Sequence, residues 1–67
     1  MNVILKNRIK EFRARFNLTQ EDLALQAEVT RKTINTIENG KFVPSTILAI
    51  KIARVLQTHV EELFILE

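Results

Sequence analysis

The sequence predicts an all-α fold, a compact bundle of about five short helices, and three observations predict it. Apolar residues recur at helical spacing in two stretches, Leu5-Ile9-Phe12-Phe16 and Leu48-Ile52-Ala53-Leu56, each of which makes one buried stripe. Thr19 and Thr30 stand where helix N-caps belong, each preceded by an apolar residue and followed by helical periodicity. Asn39-Gly40 and Pro44-Ser45 supply a stop and a restart between the two halves.

Sixty-seven residues suffice for one domain, expected over residues 1–67. A chain of this length buries only about 60% of its unfolded surface, so its core must be well made. Cysteine is absent, which removes disulfides and thiolate metal sites and fits a reducing compartment. No apolar run approaches the roughly 20 residues of a membrane span, and Met1 to Leu5 is too short for a signal peptide. The expectation is a soluble, cytoplasmic protein with no second, ligand-binding or self-cleaving domain. One histidine, no cysteine and no carboxylate pair placed in a pocket leave no nucleophile, base or metal cage, so an enzyme is not expected, nor a cofactor or metal. The net charge is only +2. Its distribution says more: residues 1–41 hold eight Lys or Arg against five acids, and residues 42–67 hold two against three. The basic surplus lies with the first part of the chain, as a polyanion partner would require.

Along the chain, Val3-Ile4-Leu5 reads either as a short strand or as an N-terminal extension of the first helix; the β-branched pair favours strand. The first helix is expected over about Lys6 to Phe16. Its outer face carries Lys6, Arg8, Lys10 and Arg15, either a solvated basic face or one close to a phosphate backbone.

Residues 19–40 form the stretch around which the rest is organised. Leu18, Thr19, Asp22 and Leu23 make a capping box and a hydrophobic staple, so a second helix begins at Gln20. Val29, Thr30 and Ile34 repeat cap and staple for a third helix over about Arg31 to Asn39, closed by Gly40 in the left-handed conformation. Only Glu28 and Val29 lie between them, the short turn of a helix-turn-helix. Leu23, Ala24 and Ala27 should meet Val29, Ile34 and Ile37, with small Ala24 permitting a close, steep crossing. That leaves Arg31, Lys32, Thr33, Asn35 and Thr36 outward, all able to hydrogen-bond base edges or phosphates.

A fourth helix is expected over about Thr46 to Leu56, capped by Ser45, with Ile47, Ile50 and Val55 widening its apolar stripe beyond what one core needs. A last short helix follows, capped either by Thr58 with Glu61 as partner or by His59. The tail Phe64-Ile65-Leu66 is unusually apolar.

Thr19-Gln20, Leu23-Ala24, Val29-Thr30, Ile34, Ile37-Glu38-Asn39-Gly40-Lys41 and Pro44-Ser45 resemble the helix-turn-helix regulators of the Cro and phage-repressor type, the XRE family, over about residues 7 to 64. The resemblance implies a lambda-repressor-like domain whose third helix enters the major groove. It implies an ion pair of Arg13 with Glu38, structural rather than base-reading. Gln20 matches the family's phosphate-binding glutamine at the start of the second helix, with Thr30, Asn39 and Lys41 as further phosphate contacts. The family usually has Gly at the Glu28 and Gln57 positions. At Glu28 a side chain in the left-handed region costs about 1–2 kcal/mol, so a strained or shifted turn is expected there.

Base chemistry then assigns Arg31 to guanine, Asn35 to adenine, Thr36 to a base edge or thymine methyl, and Lys32 to guanine or phosphate, with Arg31 the main specificity residue. One module reads few base pairs, so a homodimer on a pseudo-palindrome is expected, using Ile50, Val55, Val60, Leu63, Ile65 and Leu66 and the end segments 1–6 and 58–67. Val3-Ile4-Leu5 and Phe64-Ile65-Leu66 could pair as strands, within one subunit or across two. The expected function is that of a transcriptional regulator, repressing by occlusion of polymerase. The alternatives are an antitoxin that masks a toxin with its apolar ends, and a protein-interaction adaptor, against which the polar face of the third helix argues.

Overall fold

A computed structural model of the chain describes residues 5–67. The order of elements is β1 (Leu5–Asn7), α1 (Ile9–Arg15), α2 (Gln20–Ala27), α3 (Arg31–Glu38), α4 (Thr46–Val55), α5 (Val60–Leu63) and β2 (Phe64–Leu66). The five helices of the expected bundle are present. The two short strands join the ends of the chain as an antiparallel pair with Leu5 opposite Leu66, Lys6 opposite Ile65 and Asn7 opposite Phe64. The ladder is formed within one chain and uses Leu5, Lys6 and Asn7; Val3 and Ile4 lie outside the described residues.

The first helix is shorter than its apolar period implies. Asn7 Oδ1 accepts the Ile9 N–H at 3.2 Å, which closes the strand and starts the helix at Ile9 rather than Lys6. At the other end Asn17 takes φ 53°, and the Leu18 N–H donates to the Arg13 carbonyl at 3.0 Å. The chain therefore leaves the helix at Arg15, and Phe16, expected in the buried stripe, stands 39% exposed. Lys6 and Arg8 accordingly lie before α1 and not on it.

α2 begins as its sequence dictates. The Asp22 N–H donates to Thr19 Oγ1 and the Thr19 N–H to Asp22 Oδ2, both at 3.0 Å. Its end departs from the usual chemistry, because Glu28 holds φ 63° and ψ 41° with no shift of the turn to avoid it. The left-handed cap lets the Val29 N–H reach the Ala24 carbonyl at 2.9 Å, and Lys51 Nζ meets the Glu28 carboxylate at 3.0 Å. Gln57 does the same at φ 55° after α4, where Gly40 does so after α3 at φ 74°.

The core is a single cluster of Ile9, Phe12, Leu23, Ala24, Ala27, Ile34, Ile37, Ile52, Ala53, Leu56 and Leu63. Ala24 and Ala27 are buried between α2 and its neighbours, where a larger side chain would overpack. α4 is capped by Ser45, whose Oγ accepts the Leu48 N–H at 3.1 Å, and its surplus residues Ile47 and Ile50 are 71% and 41% exposed. His59 takes the N-cap of α5 without a side-chain bond, while Thr58 Oγ1 donates to Glu62 Oε2 at 3.2 Å. Leu63 is fully buried and its carbonyl accepts the Arg8 N–H at 2.8 Å, so the one-turn α5 pins the tail to the core.

Candidate nucleic-acid interface

α3 is held from behind by polar contacts that its apolar residues do not supply. Arg13 Nε donates to Glu38 Oε2 at 2.7 Å and Nη2 to Oε1 at 3.1 Å, a two-point pair, while Nη1 reaches the Leu18 carbonyl at 2.8 Å. The two side chains are only 14% and 7% exposed. Each partner has a further contact outside the pair, Arg13 with the Leu18 carbonyl and Glu38 Oε1 with Gln20 Nε2 at 3.4 Å, and such additional hydrogen bonds help a desolvated ion pair hold its geometry. Asn7 adds a contact that sequence reasoning missed: its Nδ2 donates to the Ile37 carbonyl at 3.0 Å, a second bond to an oxygen at the end of α3 that also accepts the Gly40 N–H at 3.0 Å. One asparagine thus starts α1 and closes α3. A polar residue at the end of a short apolar strand was the only sign of it.

On the outer face Arg31, Lys32 and Asn35 are exposed, and Thr33 and Thr36 are half-buried. Thr30 is the N-cap, its Oγ1 accepting the Thr33 N–H at 3.2 Å and lying 3.0 Å from Thr33 Oγ1. The Thr36 hydroxyl bonds back to the Lys32 and Thr33 carbonyls at 3.0 and 2.9 Å, leaving no free hydroxyl proton for a base edge. Asn39 and Lys41 follow α3 and are exposed. Gln20, half-buried, directs Nε2 to Asn35 Oδ1 at 3.2 Å and to Glu38 Oε1 at 3.4 Å. Both amide protons are engaged within the protein, so in this arrangement the side chain has no donor left for a phosphate.

Charge pairing consumes most cations elsewhere, although Lys10 on α1 and Arg54 on α4 are also in no ion pair among the described residues. Lys6 bridges Glu67, Arg8 and Arg15 both close on Glu11, and Lys51 bridges Glu28. Arg31, Lys32 and Lys41 meet no carboxylate among the described residues. The first turn of α3 contains no acid, so its positive dipole end adds to Arg31 and Lys32. The first turn of α2 carries Glu21 and Asp22, and the Thr19 amide, followed by its hydroxyl, holds the Asp22 carboxyl below the usual carboxylate range. α3 therefore presents the stronger anion-attracting end.

The six apolar residues expected at an interface divide into three groups. Ile50, Ile65 and Leu66 are exposed; Val55 and Val60 are half-buried against the core; Leu63 is wholly inside it and has no surface to offer a partner. The amphipathic period of so short a tail did not distinguish an outward leucine from the one that anchors it. Phe42 and Val43, 51% and 66% exposed in the loop before α4, were not singled out. Their signal was an apolar pair in a loop. Val43, Pro44, Ile50, Val60 and Phe64 line an apolar pocket of about 230 Å³. No group of three or more His, Cys, Asp or Glu among the described residues could hold a metal, and no helix there is long and apolar enough to cross a membrane.

The scaffolded α2–turn–α3 pair with a cationic, polar outer face is that of a helix-turn-helix domain, and comparison with known proteins places the chain within that class. A family model described as helix-turn-helix matches residues 9–63. The chain belongs to the helix-turn-helix transcription regulators of Cro and phage-repressor type, the XRE family, which act on DNA. It is 52% identical over 63 residues to an uncharacterised HTH-type transcriptional regulator of Archaeoglobus fulgidus, covering 94% of this chain and 89% of the relative. To an uncharacterised HTH-type regulator of Bacillus subtilis it is 46% identical over 63 residues, covering 94% and 96%. Among solved structures, the restriction-modification controller protein C.AhdI from Aeromonas hydrophila aligns with TM-score 0.77 and 29% identity over 82% of this chain and 83% of that one.

Proposed function

We propose that this chain is a single-domain, sequence-specific regulator of transcription that binds double-stranded DNA as a homodimer, with α3 in the major groove of each half-site of a pseudo-palindromic operator, and represses by occluding polymerase. The observation that carries this reading is the concentration on and just after α3 of cations that no carboxylate neutralises, Arg31, Lys32 and Lys41. An ordinary solvated helix would pair such charges along its own face; here they stand ready for phosphate and guanine. Arg31 reads guanine in two-point fashion, Lys32 reads guanine or phosphate, and Lys41 and Asn39 clamp phosphate. Thr30 and Thr33 contribute backbone and hydroxyl contacts to the same strand. Symmetry supplies the specificity that one short helix lacks. Exposed Val43 and Ile50, which line the apolar pocket, are the surface through which two copies associate, with Phe42, Ile47, Ile65 and Leu66 as the further exposed apolar residues available to it. C.AhdI, which has the same fold, is described as a restriction-modification controller protein, and that supports the regulatory reading. Such a protein works in the cytoplasm.

Selection of bound duplexes from a randomised pool, followed by sequencing, tests the proposal. Recovery of an inverted repeat with half-sites about one helical turn apart is expected. Weak binding that enriches no sequence and disappears as salt rises would overturn it.

A further inference from the structure

The side chains that join α1, α2 and α3 form a chain of hydrogen bonds whose direction is fixed by charge at one end. Arg13 carries donors only, and Glu38, held by it at two points and 7% exposed, carries acceptors only. The atom of Gln20 that lies 3.4 Å from Glu38 Oε1 must therefore be its amide nitrogen, since its carbonyl oxygen would face a carboxylate. The second proton of that nitrogen is directed at Asn35, 3.2 Å away, so the atom receiving it must be Oδ1. Asn39 Nδ2 approaches the same oxygen at 3.5 Å. A carbonyl oxygen has two lone pairs, and both are addressed from within the protein. What exposed Asn35 has left for a ligand is its NH2.

We propose that Asn35 is a specificity-determining residue of donor-only character, and that Gln20 is the positioning residue that imposes this by relaying the polarity of the buried Arg13–Glu38 pair to the DNA-facing surface. The inference rests on the DNA-binding reading above and refines it. An asparagine that recognises adenine needs its oxygen to accept from N6 and its nitrogen to donate to N7. With the oxygen committed, that pairing is closed. The amide then selects an edge that offers acceptors, guanine O6 and N7 or thymine O4. The assignment of Asn35 to adenine, natural from residue type alone, is reversed by a neighbour that never touches the base.

The test is duplex selection with the full chain and three variants, Asn35→Ala, Gln20→Ala and Gln20→Lys, each checked for an unchanged circular dichroism spectrum and thermal midpoint. Asn35→Ala identifies the base pair that Asn35 reads, by loss of preference there alone. The unaltered protein should place guanine or thymine at that position. Gln20→Ala frees Oδ1, and the preference there should move toward adenine by roughly five- to a hundredfold in relative enrichment, the range of a two-point base contact. Gln20→Lys retains donors toward both Glu38 and Asn35 and should keep the original preference, which a merely structural role for Gln20 would not produce. Adenine at the Asn35 position in the unaltered protein, no position affected by Asn35→Ala, or no movement in Gln20→Ala would each overturn the relay while leaving DNA recognition intact. No enriched sequence for any of the four would instead overturn the reading on which the relay rests.

Discussion

Around α1 the fold consumes four of five cations, all but exposed Lys10, and on α3 it leaves both free. Lys6 is tied to Glu67, Arg8 and Arg15 share Glu11, and Arg15 also lies over the Phe12 ring with its guanidinium carbon 4.3 Å from the centroid. Arg13 is buried against Glu38. On α3, Arg31 and Lys32 have no such neighbour among the described residues. Both regions look alike as lists of Lys and Arg, and the first carries more of them. Availability is decided by whether a carboxylate sits within reach, so a polyanion surface is located by pairing and not by counting.

The comparison predicts opposite phenotypes for removing a cation from each region. The largest effect is expected at Arg13, the most deeply consumed. Arg13→Ala leaves Glu38 charged and desolvated, and should cost about 3–5 kcal/mol of folding stability. In a domain of this size each kcal/mol shifts the midpoint by roughly 4–8 °C, so thermal unfolding followed by circular dichroism should show a marginal or unfolded chain. A variant within 1 °C of the parent would mean that the pair is not desolvated in solution.

Arg31→Ala should do the reverse. Stability should change by no more than about 0.5 kcal/mol, as for other exposed positions without partners, while discrimination at one base pair falls by about 1–3 kcal/mol. Smaller again is the electrostatic contribution read from the dependence of binding on salt. Lys32→Ala should lower the slope of log K against log salt by about one if it contacts phosphate, and Arg15→Ala should leave it unchanged. Glu11→Gln attacks the comparison directly, because it releases Arg8 and Arg15. If pairing is what silences α1, nonspecific affinity at low salt should rise in that variant; an unchanged affinity would place α1 out of reach of DNA for reasons of geometry alone.

The helix-turn-helix was legible residue by residue because its signals are local. A capping box, two staples and a glycine stop each involve neighbours within five positions, and the boundaries of α2 and α3 follow from them. What was not legible depends on contacts between distant parts of the chain. Asn7 closes a helix thirty residues away, and no spacing announces that. Leu63 and Leu66 share a tail and a residue type, yet α5 turns one inward and β2 leaves the other 70% exposed. At Leu5, the one described residue of Val3-Ile4-Leu5, strand and not helix follows from pairing with Leu66, sixty-one residues away. The outward face of α3 was read correctly as polar, but the hydrogen-bond polarity of Asn35 depends on Gln20 and Glu38 together. The left-handed conformation at Glu28 and Gln57 is imposed by the packing of the helices they join, since neither residue favours it.

The smallest effect tests the same contrast through acid. The hydrogen bond from Arg8, followed by the charges of Arg8 and Arg15, holds the Glu11 carboxyl below its ordinary value. A group whose value is lowered on folding binds fewer protons in the folded state, so its contribution to stability is fully present above the ordinary carboxylate value near about pH 4 and is lost as pH falls through the lowered one. Asp22 behaves in the same direction through its bonds to Thr19. Both carboxylates are at the surface, where solvent screens such pairs, so the acid limb of the stability curve should bend only slightly. Urea unfolding from pH 7 into this range should show Glu11→Gln flattening that limb relative to the parent, and Asp22→Asn doing so independently. A limb unchanged in Glu11→Gln would mean that Arg8 and Arg15 are as unengaged in solution as Arg31 and Lys32, and the distinction between the two basic regions would then have to rest on their position relative to the groove rather than on their partners.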